Sequence, residues 1–230
     1  MRLDKYLTEV GIDSRKFAKI LLAEGRVTVN QKEILDGSFH VKETEDEVAI
    51  DGEIQEYKPF RYYVLNKPKG YITAVKDRNH QTVMELLPVD TIVKGLNPVG
   101  RLDIDTEGLL LLTNDGELTH KLLSPKFECQ KVYYVELEQE ITPRMVKRLE
   151  EGVSIRVGKE QYRTKPAKVE VIHPQAIHLK ITEGKFHQVK LMAEACENSV
   201  TYLKRIQFGK LVLGDLGIGN VVEVSREDIL

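Results

Sequence analysis

The sequence predicts an α+β protein in two parts. Residues 1–58 form a small helix–helix–sheet unit, and residues 59–230 a larger domain built on a mixed or largely antiparallel sheet. Three observations carry this. In residues 1–58 the apolar positions recur first at helical spacing and then in alternation. All eight prolines fall at or after Pro59, so the chain changes character near Tyr57-Lys58-Pro59. Beyond that point strand-like segments outnumber helix-like ones with no regular strand–helix alternation, the pattern of an α+β domain.

In the first part, Leu3, Leu7 and Val10 are helically spaced and Gly11 is a stop signal. Asp13 or Ser14 can cap a second helix whose apolar residues are Phe17, Ile20 and Leu21, ended by Gly25. Val27 and Val29 then alternate with polar residues. A turn at Asn30-Gln31, a short strand near Ile34 and a last strand at Val48 and Ile50 complete the unit. In the second part, strands are expected at 61–66, 109–113, 132–137, 153–157, 167–172 and 177–181. Helices are expected at 82–87, 117–123, 144–151 and 186–196, and Asn114-Asp115-Gly116 is a turn signal.

Composition bounds the function. With 41% hydrophobic and 30% charged residues the 230-residue chain has the balance of an ordinary globular protein, long enough for a real core. No segment approaches the roughly 20 apolar residues of a membrane span, and the charged start Met1-Arg2-Leu3-Asp4-Lys5 lacks the apolar region of a signal peptide. Cys129 and Cys196 form no close pair, so no disulfide framework is indicated and a cytoplasmic protein is expected. The six histidines are scattered and neither cysteine has a ligand neighbour, so no metal site is expected. No phosphate-binding or dinucleotide glycine motif is present, so no cofactor is expected either.

The net charge of −2 hides an asymmetry. Residues 1–32 carry seven Lys/Arg against four acids, whereas residues 33–58 carry two against nine, giving +3 and −7. Arg15, Lys16 and Lys19 fall on the second helix and Arg26 at its exit. They are either a solvated helix face or a surface that tracks phosphates without reading bases. The segments Arg2-Leu3-Asp4-Lys5-Tyr6-Leu7, Ser14-Arg15 and Gly25-Arg26-Val27-Thr28-Val29-Asn30 resemble the S-four-type RNA-binding domain. The resemblance implies RNA contact by Arg2, Lys5, Arg15, Lys16, Lys19, Arg26 and Asn30. Gln31 departs from the family, which often has Gly in this primed-hairpin position.

The most unusual segment is Asn97-Pro98-Val99-Gly100-Arg101-Leu102-Asp103-Ile104-Asp105-Thr106-Glu107-Gly108, three acids and an arginine directly before the apolar run Leu109–Leu112. A carboxylate at the edge of a core strand is well placed to be desolvated and aimed. It is equally consistent with an ordinary turn, or with a carboxylate pair, Asp103 and Asp105, sharing one face of an extended chain in a hydrolase.

Residues 100–116, Gly100-Arg101-Leu102-Asp103-Ile104-Asp105-Thr106-Glu107-Gly108 through Asn114-Asp115-Gly116, resemble the signature of the small-subunit type of rRNA pseudouridine synthase. Leu65-Asn66-Lys67-Pro68-Lys69-Gly70-Tyr71, Lys131-Val132-Tyr133-Tyr134-Val135 and Glu183-Gly184-Lys185-Phe186-His187-Gln188-Val189-Lys190 agree, in the family's order. The resemblance spans the whole chain. It implies isomerisation of a uridine within ribosomal RNA: the base leaves its ribose, turns and rejoins through carbon five, with no cofactor. It assigns the essential carboxylate to Asp103, by covalent attack or by assisting an elimination. Tyr133 and Lys190 match the family's active-site tyrosine and basic residue, and Arg101, Lys67 and Gln188 are expected to contact substrate. Lys190, at the edge of an apolar helix face, can pair with Asp103 and keep it a competent nucleophile. The alternative is a surface lysine. Leu191, where relatives usually have Arg, is expected on the polar side of that helix. Thr164-Lys165-Pro166-Ala167 and Glu183–Lys190 favour 16S over 23S rRNA. By resemblance the target is uridine 516, in ribosomal RNA or an assembling small subunit, with the protein acting as a monomer. The rivals are a 23S enzyme, a non-catalytic RNA-binding or assembly protein of the same fold, and a hydrolase.

Overall fold

A computed structural model describes residues 1–230, apart from the side chain of Asp90. The chain divides into two compact units, Met1–Phe60 and Arg61–Leu230.

The first unit runs α1 (Leu3–Glu9), α2 (Arg15–Ala23), β1 (Val27–Val29), β2 (Lys32–Glu33), β3 (Val48–Ile50) and β4 (Glu53–Ile54), the four strands paired in the order β2-β1-β3-β4. Ser14 is the N-cap of α2, its hydroxyl accepting from the Phe17 amide. Asn30 and Gln31 both have positive φ, 50° and 67°, so the β1–β2 connection has the primed sense despite lacking glycine. Asn30 stabilises it by donating to Asp46 and accepting from the Glu47 amide. The buried face of α2 differs from expectation. Ala18, Leu21 and Leu22 pack on Leu3, Tyr6, Leu7, Val27 and Val48. Phe17 and Ile20 are 44% and 41% exposed, alongside Lys16 and Lys19 rather than opposite them.

The second unit runs β5 (Tyr62–Lys67), β6 (Asn97–Pro98), β7 (Glu107–Thr113), α3 (Gly116–Leu123), β8 (Lys131–Leu137), α4 (Pro143–Glu151), β9 (Ser154–Val157), β10 (Glu160–Arg163), β11 (Lys168–His173), β12 (Ala176–Ile181), α5 (Gln188–Ala195), β13 (Val200–Phe208), β14 (Leu211–Val212), β15 (Val221–Glu223) and α6 (Arg226–Ile229). The main sheet is ordered β11-β12-β8-β13-β7-β5-β15, all antiparallel except the β13–β7 pair, which is parallel. It is the expected mixed sheet. The run Leu109–Leu112 explains its centre. Leu110 and Leu112 enter a core with Leu65, Tyr133, Leu179 and Met192, while Leu109 and Leu111 enter a second with Tyr62, Leu118, Leu122 and Phe208. A strand buried on both faces reads as a continuous apolar run.

Several expectations need correction. The segment 82–87 is a 3₁₀ turn, Val83–Leu86, closed by a Thr82–Glu85 capping box. Asp115 is the N-cap of α3, accepting from the Leu118 amide. Helix α5 begins at Gln188, so Phe186 lies outside it and is exposed, while Leu191 packs partly buried against the core instead of facing water. The nine-residue strand β13, unanticipated, lies between β7 and β8.

The parallel pairing of β7 with β13 requires glycine. Gly108 has φ 104°, and a Cβ there would lie 2.2 Å from the Arg205 carbonyl oxygen. Gly108→Ala is therefore expected to destabilise the second unit by about 3 kcal/mol or more, from a strained φ and a backbone clash together. Denaturant unfolding compared with the parent protein measures this; a shift below about 1 kcal/mol, the ordinary cost of a substitution, would contradict it.

Candidate active site

Asp103 lies in the loop that enters β7, and the loop is a turn rather than extended chain: the Thr106 amide donates to the Asp103 carbonyl at 3.1 Å. Three further anchors fix it. The Gly70 amide donates to the Ile104 carbonyl. The Thr73 hydroxyl both donates to the Leu102 carbonyl and accepts from its amide. Beneath the loop the Lys67 ammonium, fully buried, donates to the carbonyls of Asp103 (3.0 Å), Thr106 (2.8 Å) and Pro68 (3.0 Å). Burial pushes the Lys67 pKa down to about 8, against the opposing pull of Asp105, Asp103 and Glu107. Lys67, expected to contact substrate, instead holds the loop from behind, since all its donors are engaged by main chain.

Above the loop stands the first turn of α5. Lys190 Nζ lies 3.2 Å from Asp103 Oδ2 and 2.6 Å from Asp105 Oδ1. One ammonium thus draws together two carboxylates that the turn alone would not align. Partial burial raises the Asp105 carboxyl, but the bond to Lys190 and its charge outweigh this and hold it below the usual range. Burial likewise lowers Lys190, and its bonds to Asp105 and Asp103 outweigh that and raise it. His187 Nε2 reaches Asp103 Oδ1 at 3.5 Å. His187 adopts a left-handed conformation, φ 50°, uncommon for a residue with a side chain, and its ring stacks on Phe186 at 3.7 Å between centroids.

Asp103, His187 and Lys190 border a cleft of about 290 Å³ with Arg101, Tyr133, Leu203 and Arg205 among its walls. That is near the lower end of small-molecule pockets, roughly 300–1,000 Å³, the scale of one nucleotide rather than a helix. Tyr133 faces the cleft and is 8% exposed. Tyr134 faces the other side of the sheet, in edge contact with His178 and Tyr202. Arg101 is exposed at the rim, with no side-chain partner among the described residues. Gln188 is 4% exposed and bonded on both sides, accepting from the Lys185 amide and donating to Glu183, so it fixes the start of α5. Glu183 also accepts from the Tyr162 hydroxyl and the Lys165 amide, tying the β9–β10 hairpin to the cleft. Among the described residues no cluster of His, Cys, Asp or Glu could hold a metal, and both cysteines are free.

Residues 61–195 match the family model for RNA pseudouridylate synthase, and residues 1–48 that of the S4 domain. The chain belongs to the RNA pseudouridylate synthase family. The synthase is 44% identical over its full length to an uncharacterized RNA pseudouridine synthase of Bacillus subtilis, which it covers to 97%. It is 38% identical to the ribosomal small subunit pseudouridine synthase A of Escherichia coli K12, again over the whole chain and 98% of the relative. A crystal structure of a pseudouridylate synthase, 34% identical, superposes over the whole chain and 98% of its own length with a TM-score of 0.68.

In the S4 domain the basic residues divide. Lys5, Arg15, Lys16 and Lys19 are exposed, and Lys16 and Lys19 have no ion-pair partner among the described residues. Arg26, by contrast, is bound by Asp51 at 2.6 Å and Glu24 at 3.2 Å, which hold its pKa above the ordinary value. Arg2 is fastened to Asp4 through one guanidinium edge, Nε and Nη2 each donating to a carboxylate oxygen. Asn30 uses its amide inside the hairpin. The acid-rich 33–58 segment supplies Asp51 and Asp46 to these contacts, so part of the +3 of residues 1–32 is neutralised locally.

His187 and Arg205 are additions to the expected site, and Asp105 enters it as a partner of Lys190 rather than as half of a hydrolase pair. His187 sits three residues before Lys190 in the matched motif, which is the one sequence signal that points to it. Substituting Lys190→Met removes the charge shared by both carboxylates. Conversion of uridine is expected to fall about 100-fold, the scale of one missing electrostatic interaction, with RNA affinity nearly unchanged. The same variant should move the Asp105 carboxyl upward in an NMR pH titration. In the parent protein the pairing favours ionised Asp105, so its contribution to stability is present above 3.8 and lost as pH falls through the lowered value. An unmoved Asp105 titration would contradict the bridge.

Proposed function

We propose that this synthase isomerises one uridine of 16S rRNA to pseudouridine, at the position the family signature implies, uridine 516, with Asp103 as the essential carboxylate. The observation that carries the reading is the Asp103 carboxylate itself: aimed by a clamped loop, contacted by Lys190 at 3.2 Å, and set in a nucleotide-sized cleft with Tyr133. The small-subunit assignment rests on the full-length similarity to enzymes named for that substrate. RNA, free or in an assembling subunit, is the partner.

A uridine must leave the helix to enter such a cleft, and a flipped base is held by stacking. Tyr133 offers a ring for that, with its hydroxyl available to a proton step. Asp103 then acts at the ribose: its carboxylate adds to carbon one-prime, or accepts the carbon two-prime proton, as the bond to N1 breaks. The detached base turns within the cleft. Carbon five bonds to carbon one-prime as the bond from Asp103 to carbon one-prime breaks, or as Asp103 returns the proton to carbon two-prime. The proton on carbon five then leaves and N1 takes up a proton. Atoms and charge balance without a cofactor, and no hydrolytic water is wanted. Arg101 at the rim is placed to hold the incoming nucleotide.

Mapping pseudouridine in rRNA from cells with and without this protein tests the assignment. Loss at one 16S position supports it, and loss at a 23S position makes it a large-subunit enzyme. With that RNA in vitro, Asp103→Asn should fold, bind and lose roughly 10⁴-fold or more in rate, as a lost nucleophile does. Asp105→Asn should lose far less, because Lys190 still holds Asp103. Equal losses, or release of free uracil by the parent protein, would favour the paired-carboxylate hydrolase.

The exposed cations of α2 are the proposed phosphate-tracking surface. Lys16→Glu with Lys19→Glu should weaken RNA binding and flatten its log–log salt dependence by roughly 0.7 for each phosphate no longer neutralised. Turnover at saturating RNA should change much less. Single-turnover kinetics over RNA concentration at two salt levels measures both; an unaltered affinity and salt slope would leave α2 a merely solvated face.

A further inference from the structure

Arg205 is a buried cation for which the mechanism above has no use. It is 2% exposed, yet among the described residues it has no carboxylate partner. Its Nε donates to the Leu109 carbonyl at 2.8 Å, its guanidinium lies 4.9 Å from the Phe208 ring centroid, and its Nη2 is buried with no hydrogen-bond partner. The side chain is part of the wall of the cleft that holds Asp103. Its position is fixed from two sides. On β13 it is in register with Tyr133 of β8, and its backbone lies against Gly108 of β7, five residues beyond Asp103. Lys131, which donates to the Cys129 carbonyl and lies 5.6 Å from the same Phe208 ring, adds a second cation to this end of the cleft.

A buried charge without a partner is disfavoured, and a donor held ready for an acceptor absent from the chain implies a ligand that brings one. We propose that Arg205 is a further catalytic residue, its guanidinium donating to a carbonyl oxygen of the flipped uracil and stabilising the negative charge that base acquires when it detaches. The inference rests on the pseudouridine synthase reading above. When the bond between carbon one-prime and N1 breaks, its electron pair stays with the base and spreads over N1, O2 and O4. This holds whether Asp103 adds to carbon one-prime or accepts the carbon two-prime proton. A guanidinium on O2 or O4 binds this anion more strongly than neutral uracil, so it lowers the barrier rather than merely tightening binding. The charge returns to neutral when carbon five bonds to carbon one-prime, its proton leaves and N1 is protonated. A phosphodiester would also accept from Arg205, but the flat base is the part of the nucleotide suited to a wall shared with Tyr133.

The experiment uses the full-length protein and two RNAs of one sequence, carrying either uridine or 5-fluorouridine at the target. Fluorine withdraws electrons and stabilises the detached base without help from the protein. Consumption of the target nucleoside is followed under single-turnover conditions by chromatography after digestion, with RNA affinity and thermal unfolding measured alongside. For Arg205→Met the expected result is a loss of about 100-fold with uridine, about tenfold with 5-fluorouridine, and affinity within about threefold of the parent. Arg205→Lys should fall between, with the same dependence on fluorine, and it carries the test if Arg205→Met unfolds. Equal losses on both RNAs would reduce Arg205 to a structural role. Lost affinity with normal conversion of bound RNA would make it a phosphate contact. Either overturns the proposal, and so does a parent protein that converts neither RNA, which would also overturn the reading beneath it.

Discussion

A fully buried ammonium sets the position of the Asp103 loop. Lys67 donates to three main-chain carbonyls, two of them in the turn that carries Asp103. An ammonium has three donors, and here none is left over. Burying it is unfavourable, as its lowered pKa records, and the fold tolerates this because the main chain satisfies every donor and Asp103, Asp105 and Glu107 lie near. Carbonyl oxygens of a tight turn would otherwise face an apolar interior with no partner. The loop and the lysine therefore require each other. Since Lys67 ends β5 and Glu107 begins β7, the pairing of those two strands puts the clamp and the loop in reach without any long-range adjustment.

Given a fixed loop, the electrostatics above it become simple. Two carboxylates two residues apart repel, and a single cation placed between them removes the conflict. Lys190 comes from a helix whose other face is anchored by Val189, Met192 and Ala193 in the core, and whose start is fixed by Gln188 and Glu183. Its ammonium is thus delivered by packing rather than by a flexible reach, and a preorganised charge has little left to reorganise during reaction. The left-handed backbone at His187 belongs to the same arrangement. It is the residue at which the chain turns into α5, and the turn brings the imidazole toward Asp103 at the cost of an uncommon conformation, the kind of local strain that surrounding structure must hold in place.

Much of this is legible in the sequence, for reasons that differ by residue. The run Leu109–Leu112 declares a strand buried on both faces. Ser14 declares a cap. The motif resemblance places Asp103, Tyr133 and Lys190 together, where spacing alone leaves a turn, a hydrolase pair and a catalytic carboxylate equally open. Spacing is least informative where one residue serves two neighbours. Lys67 is expected to contact substrate through the motif resemblance alone, and the three carbonyls around it give it a different task. Phe17 and Ile20 read as core because they are apolar at helical spacing, yet Ala18, Leu21 and Leu22 already fill the face of α2 that meets α1.

The strand β13 shows why Arg205 escapes a reading of the sequence. In Val200–Phe208 the inward positions include Leu203, Arg205 and Phe208, so a charged residue stands where alternation calls for an apolar one, and register shifts against β8 break the period again after it. A pattern search discards such a segment. The same two irregularities are informative once the neighbours are known. A central strand gains nothing in stability from an arginine with an idle donor, and hydrophobic residues of similar size would pack there without the electrostatic penalty. Local rules are broken where something other than stability sets the residue. In this sheet the broken rule and the tyrosine in register with it share one cleft wall, and the glycine that admits its backbone lies in the strand entered from the loop that the buried lysine holds.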